Sequence, residues 1–160
     1  MHRVIKNYCT VSGVTLAAFF CVCLAGSAFA AEMLQAKVAD LKGEAKVMKA
    51  GTPNWTALEL NMVLGEGDAI KTGKDSEVKL EFSGARKTAD VIVRSETEFA
   101  LKTFTYDKST QIENTQLDVE IGNVLVKAEK LQGDSKFEVK TPTSIVGIRG
   151  TVFEVQVSQA

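Results

Sequence analysis

The sequence predicts an all-β protein, built of short antiparallel strands in a twisted, stacked, solenoid-like sheet or sandwich. Two observations support this prediction. Apolar residues alternate with polar ones along most of the chain, and glycines recur between these runs at the spacing of turns. No long window keeps the 3.6-residue period of a helix after residue 30. Pro53 and Pro142 fall between the runs, where the N–H that proline lacks is not needed for pairing between strands.

The beginning of the chain has a different character and resembles a secretory signal peptide. Arg3 and Lys6 precede an apolar run over residues 11–24, and small residues follow at Ala28 and Ala30. The apolar run has about 14 residues, which is too short to cross a bilayer core of about 30 Å as a lasting helix. An uncleaved anchor helix is the alternative.

We therefore expect two parts. Residues 1–30 form a helical signal peptide, cut between Ala30 and Ala31, and residues 31–160 form a single β domain. This predicts a periplasmic or secreted bacterial protein with no membrane span after cleavage.

The composition excludes several classes of function. The 19 Lys and Arg residues are balanced by 20 Asp and Glu residues, so the chain lacks the basic excess of a nucleic-acid-binding protein. The only histidine, His2, and the three cysteines, Cys9, Cys21 and Cys23, all lie in the predicted signal peptide. The mature chain then has no thiolate or imidazole for catalysis or metal binding, and we expect no metal, no cofactor and no enzymatic activity.

Carboxylates are the remaining candidates for catalysis. Glu66 with Asp68, and Glu96 with Glu98, are acidic pairs two residues apart. In strands or turns this spacing is typical of a solvated face, but a carboxylate-based hydrolase stays open as an alternative.

Strands are predicted in order along the domain. Their alternating apolar residues are Val78, Leu80 and Phe82; Val91 and Val93; Phe99 and Leu101; Leu117, Val119 and Ile121; Val124 and Val126; Phe137 and Val139; and Phe153, Val155 and Val157. Residues 106–116 are the most polar stretch, and we expect them to form a long, mobile hairpin connection.

Two segments are more distinctive than ordinary strand sequence. The first contains Trp55-Thr56-Ala57-Leu58 and then Gly67-Asp68-Ala69-Ile70-Lys71-Thr72, in which Asp68 is placed to accept backbone N–H bonds within a turn. The second runs from Thr141-Pro142 to Gly147-Ile148-Arg149-Gly150-Thr151-Val152-Phe153. Pro142 favours an extended residue before it, and Gly147 and Gly150 permit a bulge or a close backbone approach around Arg149.

Together with Ile121-Gly122-Asn123-Val124, these segments resemble the FecR domain family over about residues 43–157. The resemblance implies an all-β periplasmic or cell-surface module, in which Gly67, Asp68, Ile70, Thr72, Gly122, Thr141, Pro142, Gly147, Gly150, Thr151 and Phe153 are motif residues with a structural role. In its namesake regulators the domain passes a signal from an outer-membrane iron-siderophore transporter to a cytoplasmic sigma factor. Here a cleavable signal is predicted in place of an anti-sigma segment and a membrane-spanning helix, so the chain resembles a stand-alone secreted member.

Two residues are candidates for binding. Arg149, between its glycines, could grip a carboxylate or a phosphate, although we favour an internal partner such as Asp68 or a nearby carbonyl. Trp55 could stack on a sugar ring, although its spacing to Leu58 favours a structural role in which the indole covers the end of the core.

The function expected from these features is that of a non-enzymatic module for signalling or sensing. Its exposed strands or loops would bind a protein or an envelope polymer such as peptidoglycan, with β-strand addition at the sheet edge as one mode. The alternatives are a structural subunit of an envelope assembly and the carboxylate-based hydrolase.

Overall fold

The computed structural model describes residues 34–84 and 87–158. Every helix or strand element within these ranges is a β-strand, which confirms the predicted all-β class. The strands are β1 (Gln35–Lys42), β2 (Ala45–Met48), β3 (Trp55–Ala57), β4 (Val63–Leu64), β5 (Ala69–Thr72), β6 (Glu77–Ser83), β7 (Lys87–Val93), β8 (Glu98–Asp107), β9 (Ile112–Ala128), β10 (Lys136–Lys140), β11 (Ile145–Ile148) and β12 (Val152–Val157). The predicted signal peptide and its cleavage site at Ala30 and Ala31 lie outside the described residues.

The strands form one curled sheet, a half-barrel with two facing halves. Half I contains β4, β1, β6, β7, the C-terminal part of β9, and β12. Half II contains β3, β2, β5, β8, the N-terminal part of β9, β10 and β11. The 17-residue strand β9 belongs to both halves and turns from one to the other at Gly122.

Four of the crossings between the halves lie side by side as stacked corners. The chain crosses between β1 and β2, between β5 and β6, between β7 and β8, and within β9. Thr72 Oγ1 donates a hydrogen bond to the Arg94 carbonyl at 2.6 Å and accepts one from Thr97 N at 2.9 Å. Thr97 Oγ1 in turn accepts one from Asn123 N at 2.9 Å. These buried threonines tie successive corners together, which is the solenoid-like stacking that was expected.

The core lies between the two halves. On β6, Val78, Leu80 and Phe82 are fully buried while the residues between them are not, as their alternation predicts. The ring of Phe82 packs edge-on against Phe104 and Phe137 of the other half, with centroids 5.6 and 5.8 Å apart. The aromatic contacts therefore join half I to half II.

One strand pair departs from the antiparallel arrangement. β10 runs parallel to β9, with Phe137 opposite Thr115 and Val139 opposite Leu117. The reason is that β9 runs first through half II and then through half I. Residues 129–135 then carry the chain back to half II, where β10 runs in the same direction as β9. The other pairs among the described strands are antiparallel.

The prediction of a long loop over residues 106–116 is wrong. β8 continues to Asp107 and β9 begins at Ile112, so only a short turn separates them. Asp107 Oδ1 accepts hydrogen bonds from Ser109 N at 2.8 Å and from Ser109 Oγ at 2.7 Å, which closes this turn. The polar residues of the stretch occupy strand positions in a long hairpin.

Candidate functional site

The buried carboxylate of Asp68 is the centre of a hydrogen-bonded turn at the surface. Its carboxylate accepts hydrogen bonds from Lys49 Nζ at 2.6 Å, from Ala50 N at 2.9 Å and from Gly65 N at 3.0 Å. Burial acts to raise the pKa of Asp68, but these hydrogen bonds and the charge of Lys49 outweigh burial and hold the pKa below its usual value. The amide of Gly67 donates to the Leu101 carbonyl at 2.7 Å, so the turn is fixed to β8.

The next motif residues belong to the core and the corners. Ile70 is 1% exposed within the core, and Thr72 donates a hydrogen bond to Arg94 in the corner between β7 and β8. Gly122 has φ 105°, and a Cβ placed there would collide with Thr97. These positions support the fold.

The four candidate carboxylates are not gathered into one site. Glu66 Oε2 accepts a hydrogen bond from Phe104 N at 3.3 Å, while Glu98 pairs with Lys71 at 3.0 Å. Phe104 and Glu98 are six residues apart on β8, about 20 Å along a strand. Glycosidase carboxylates lie about 5–9.5 Å apart. Among the described residues no cluster of three or more metal-binding side chains is found either.

The second distinctive segment forms the hairpin of β10 and β11. Thr141 N donates to the Ser144 carbonyl at 2.8 Å, and Ser144 N donates to Thr141 Oγ1 at 3.0 Å. Pro142 stands at the second position of this tight turn, where its fixed φ is favourable. The T-P element therefore places β11 beside β10.

Arg149 and its neighbours end this hairpin. Arg149 is exposed, and its Nη2 donates to the Gly133 carbonyl at 2.6 Å. The expectation of a carbonyl partner matches this contact, but Asp68 is engaged by Lys49 and is not the partner of Arg149. Gly150 has φ 70° in the turn to β12. The Thr151 carbonyl accepts from Ala128 N at 3.0 Å, and Phe153 packs half-buried against the core.

Trp55 lies on the edge strand β3, at the far side of half II from β11. It is half-buried and stands opposite Met48 of β2. Trp55 and Arg149 therefore belong to opposite edges of the half-barrel, and they do not form one site.

Four strands end the two halves: β3 and β11 in half II, and β4 and β12 in half I. β3 and β4 are only three and two residues long, and β12 carries Glu154 near its middle. Short edges and edge charges both discourage further pairing. β11 is different because it is longer than β3 and β4 and, unlike β12, its sequence, Ile145-Val146-Gly147-Ile148, has no charged residue.

The side chains around β11 are unusually exposed for their type. Ile145 is 65% exposed and Val146 is 38% exposed. Val146 stands opposite Val139 on the core-facing side. Val146 remains exposed because two strands of half II, β10 and β11, lie beyond β9, whereas only one strand of half I, β12, lies beyond it. A groove of about 620 Å³ runs beside Phe137, Gly147, Ile148 and Arg149.

The backbone of β11 also has hydrogen-bonding groups that no other described strand pairs with. In an antiparallel pair, alternate residues direct both N–H and C=O to the partner strand. Thr141 and Ser144 form one such bonded pair, and the register makes Val139 with Val146 and Phe137 with Ile148 the next two. Ile145 and Gly147 therefore direct their backbone groups away from β10, toward the open edge.

Sequence reasoning did not identify this edge. Its signal is that Ile145-Val146-Gly147-Ile148 follows a proline turn and contains none of the lysines and glutamates that fill the outward positions of other strands. It also missed Lys49, whose pairing with Asp68 depends on a contact 19 residues away in sequence.

The comparison with protein families agrees with this architecture. A model of the family described as FecR protein matches residues 68–160, which is more than half of the chain. The chain therefore belongs to the FecR family. The match includes Asp68 and the segment from Thr141 to Phe153, whereas Trp55 precedes it.

FecR is a signalling-related family that is not known as enzymatic, and its domains are typically periplasmic or envelope-associated. The searches of curated proteins and of solved structures give no match. Within residues 34–84 and 87–158, no helix is long and apolar enough to cross a membrane.

Proposed function

We propose that this protein is a non-enzymatic interaction module of the cell envelope, periplasmic or secreted, which binds an extended segment of a partner protein along β11. The observation that supports this proposal is the free edge itself, where no strand among residues 34–84 and 87–158 pairs with the outward backbone groups of Ile145 and Gly147. Membership of a signalling-related family supports a role in sensing or signal transfer.

The chemistry of β11 favours a polypeptide over a polysaccharide. A peptide in extended conformation offers N–H and C=O groups at the spacing that a strand edge requires, and its alternate side chains meet the flanking surface. A sugar polymer would use aromatic and polar groups, but Trp55 lies at the opposite edge of half II. The partner segment should carry apolar residues opposite Ile145 and Val146.

The proposal is tested by site-specific photocrosslinking in cells that produce the full chain. A photoreactive amino acid at Ile145 should crosslink to an extended, apolar segment of one envelope protein, identified by mass spectrometry. The matched control is the same amino acid at Val152 on β12, which is 64% exposed against 65% for Ile145. Val152 should not give this product.

A backbone variant tests the mode of binding. Gly147→Pro removes an edge-facing N–H while leaving the hydrogen bonds between β10 and β11 in place. Losing one hydrogen bond of about 1.4 kcal/mol corresponds to about a tenfold weaker complex, so the crosslink at position 145 should fall about tenfold. An equal yield in the proline variant, or the same product from Val152, would contradict binding by strand addition.

A further inference from the structure

We infer that β11 also pairs with β11 of a second copy of this chain, giving a weak symmetric dimer that competes with partner binding. This inference rests on the proposed function, because both interactions use the same free edge. It adds a regulatory state in which the chain covers its own binding edge.

Symmetry restricts how two copies of β11 can pair. Two antiparallel strands in one sheet are related by a two-fold axis perpendicular to the sheet, so each residue keeps its face and meets a residue of the same parity. Ile145 and Gly147 direct their backbone groups outward. A register that joins Ile145 of one copy to Gly147 of the other therefore pairs these groups and places Val146 opposite Val146.

This register is complementary in shape. Ile145 is the most exposed of the large apolar residues in the described part of the chain. Gly147 has no side chain, and, its two chain neighbours aside, no atom of the described residues lies within 4 Å of the place that a Cβ would occupy. The isoleucine of each copy therefore covers the glycine of the other, while the two Val146 side chains meet on the core-facing side and shield each other.

Charges are also compatible with this pairing. β11 contributes none, so no like charges are brought directly together. On the outward face Lys140 stands opposite Ile145 and Glu138 opposite Gly147. In the dimer, Lys140, Ile145, Gly147 of the other copy and Glu138 of the other copy therefore follow one another across the four neighbouring strands, on the same face of the sheet. On β12, by contrast, a pairing centred on Glu154 would set Glu154 against Glu154 of the other copy.

The area of contact predicts a weak association. Four residues from each copy bury much less than the roughly 1,000 Å² of a stable interface, so we expect a dissociation constant between about 10 µM and 1 mM. In sedimentation equilibrium of the purified protein, the average mass should rise from that of one chain toward that of two over this range. A mass that stays at one chain up to about 1 mM would overturn the inference.

A matched pair of variants locates the interface. Ile145→Lys should weaken the dimer at least tenfold, since two lysines would flank the new strand pair. Val152→Lys makes the same change at an equally exposed position on β12 and should leave the dissociation constant within twofold. Equal effects of the two changes would show that the dimer does not use β11.

A disulfide tests the register and does not depend on affinity. In a full chain with Cys9, Cys21 and Cys23 replaced by Ser, Val146→Cys should form an intermolecular disulfide under mild oxidation. Opposing residues of this kind have Cα atoms about 4.5 Å apart, within the range that a disulfide spans. Val152→Cys is the control and should remain mostly reduced. Equal crosslinking at both positions would contradict the pairing of Val146 with its copy.

The two proposals fail in different ways. The dimer is measured on purified protein alone, whereas partner binding is measured by crosslinking in cells. A monomer that still crosslinks a partner segment at position 145 overturns the dimer and leaves the proposed function standing. A dimer without any partner crosslink at that position overturns the proposed function.

Discussion

Asp68 shows how a single carboxylate can organise a turn. It is 4% exposed, and it accepts bonds from one ammonium group and two backbone amides. Asp68→Asn loses the ion pair with Lys49 and directs an NH₂ group toward N–H donors. We expect the free energy of unfolding at pH 7 to fall by about 1–3 kcal/mol, measured by urea denaturation. Asp75→Asn, at an exposed turn, is the control and should change it by less than about 0.5 kcal/mol.

The same carboxylate predicts a dependence on pH. The pKa of Asp68 is lower in the folded protein than its ordinary value of about 3.9, so its stabilising effect is fully present above that value. The effect is lost as the pH falls through the lower, folded-state pKa. The difference in unfolding free energy between the wild type and Asp68→Asn should therefore narrow below about pH 4. A difference that stays constant from pH 7 to pH 2.5 would contradict this assignment.

Arg149 shows where a prediction from residue type needs the structure. A buried ion pair would make Arg149→Ala cost about 3–5 kcal/mol. The side chain is exposed and bonds only one described acceptor, the Gly133 carbonyl, so we expect a loss of about 1 kcal/mol or less in thermal unfolding. Gly150→Val should cost more, about 1–3 kcal/mol, since φ is 70° there and a Cβ would lie 3.1 Å from Lys130 Cα. A larger loss for Arg149→Ala than for Gly150→Val would indicate that Arg149 forms a buried ion pair.

At the level of elements, β9 depends on its bend at Gly122. A side chain there faces both a φ of 105° and a collision with Thr97. Gly51 has φ 75°, and apart from its chain neighbours no described residue has an atom within 4 Å of the place of a Cβ, so Gly51 isolates the backbone effect. Gly51→Ala should lower the free energy of unfolding by about 1 kcal/mol, and Gly122→Ala by about 3 kcal/mol or more. Equal losses in chemical denaturation would show that the corner has room for a methyl group.

Strand elements were predictable where burial is one-sided. Alternation at Val78, Leu80 and Phe82 gave β6 its correct inner face, because the pleat exposes every second residue. The polar run at 106–116 misled, since Tyr106 and Thr115 are its core-facing residues and neither is aliphatic, so the segment lacks the apolar alternation by which a strand is recognised. The parallel pairing of β10 with β9 was also unpredictable, because it depends on a return path that local periodicity does not encode.

For the molecule as a whole, the family motif and the binding edge follow different physical rules. Motif residues such as Asp68, Thr72 and Gly122 have turn chemistry that can be recognised in the sequence: Asp68 closes the turn before β5, and Thr72 and Gly122 belong to the corners. Whether Ile145 and Val146 are exposed depends on how many strands each half contains. That number emerges only when all strands are paired, so the candidate site could not be found from the sequence alone.

The position of β9 also determines the order in which the fold can be completed. β1, β4, β6 and β7 can pair with one another, and so can β2, β3, β5 and β8, before β9 exists. β10 and β12 pair only with β9 or a later strand, and β11 pairs only with β10. A chain synthesised from its N-terminus therefore holds two incomplete sheets until about residue 128 has emerged. Pairs such as Gln35 with Ser83 and Ala89 with Ala128 join residues distant in sequence both before and during this closing step, which makes slow folding the expected kinetic behaviour of this topology.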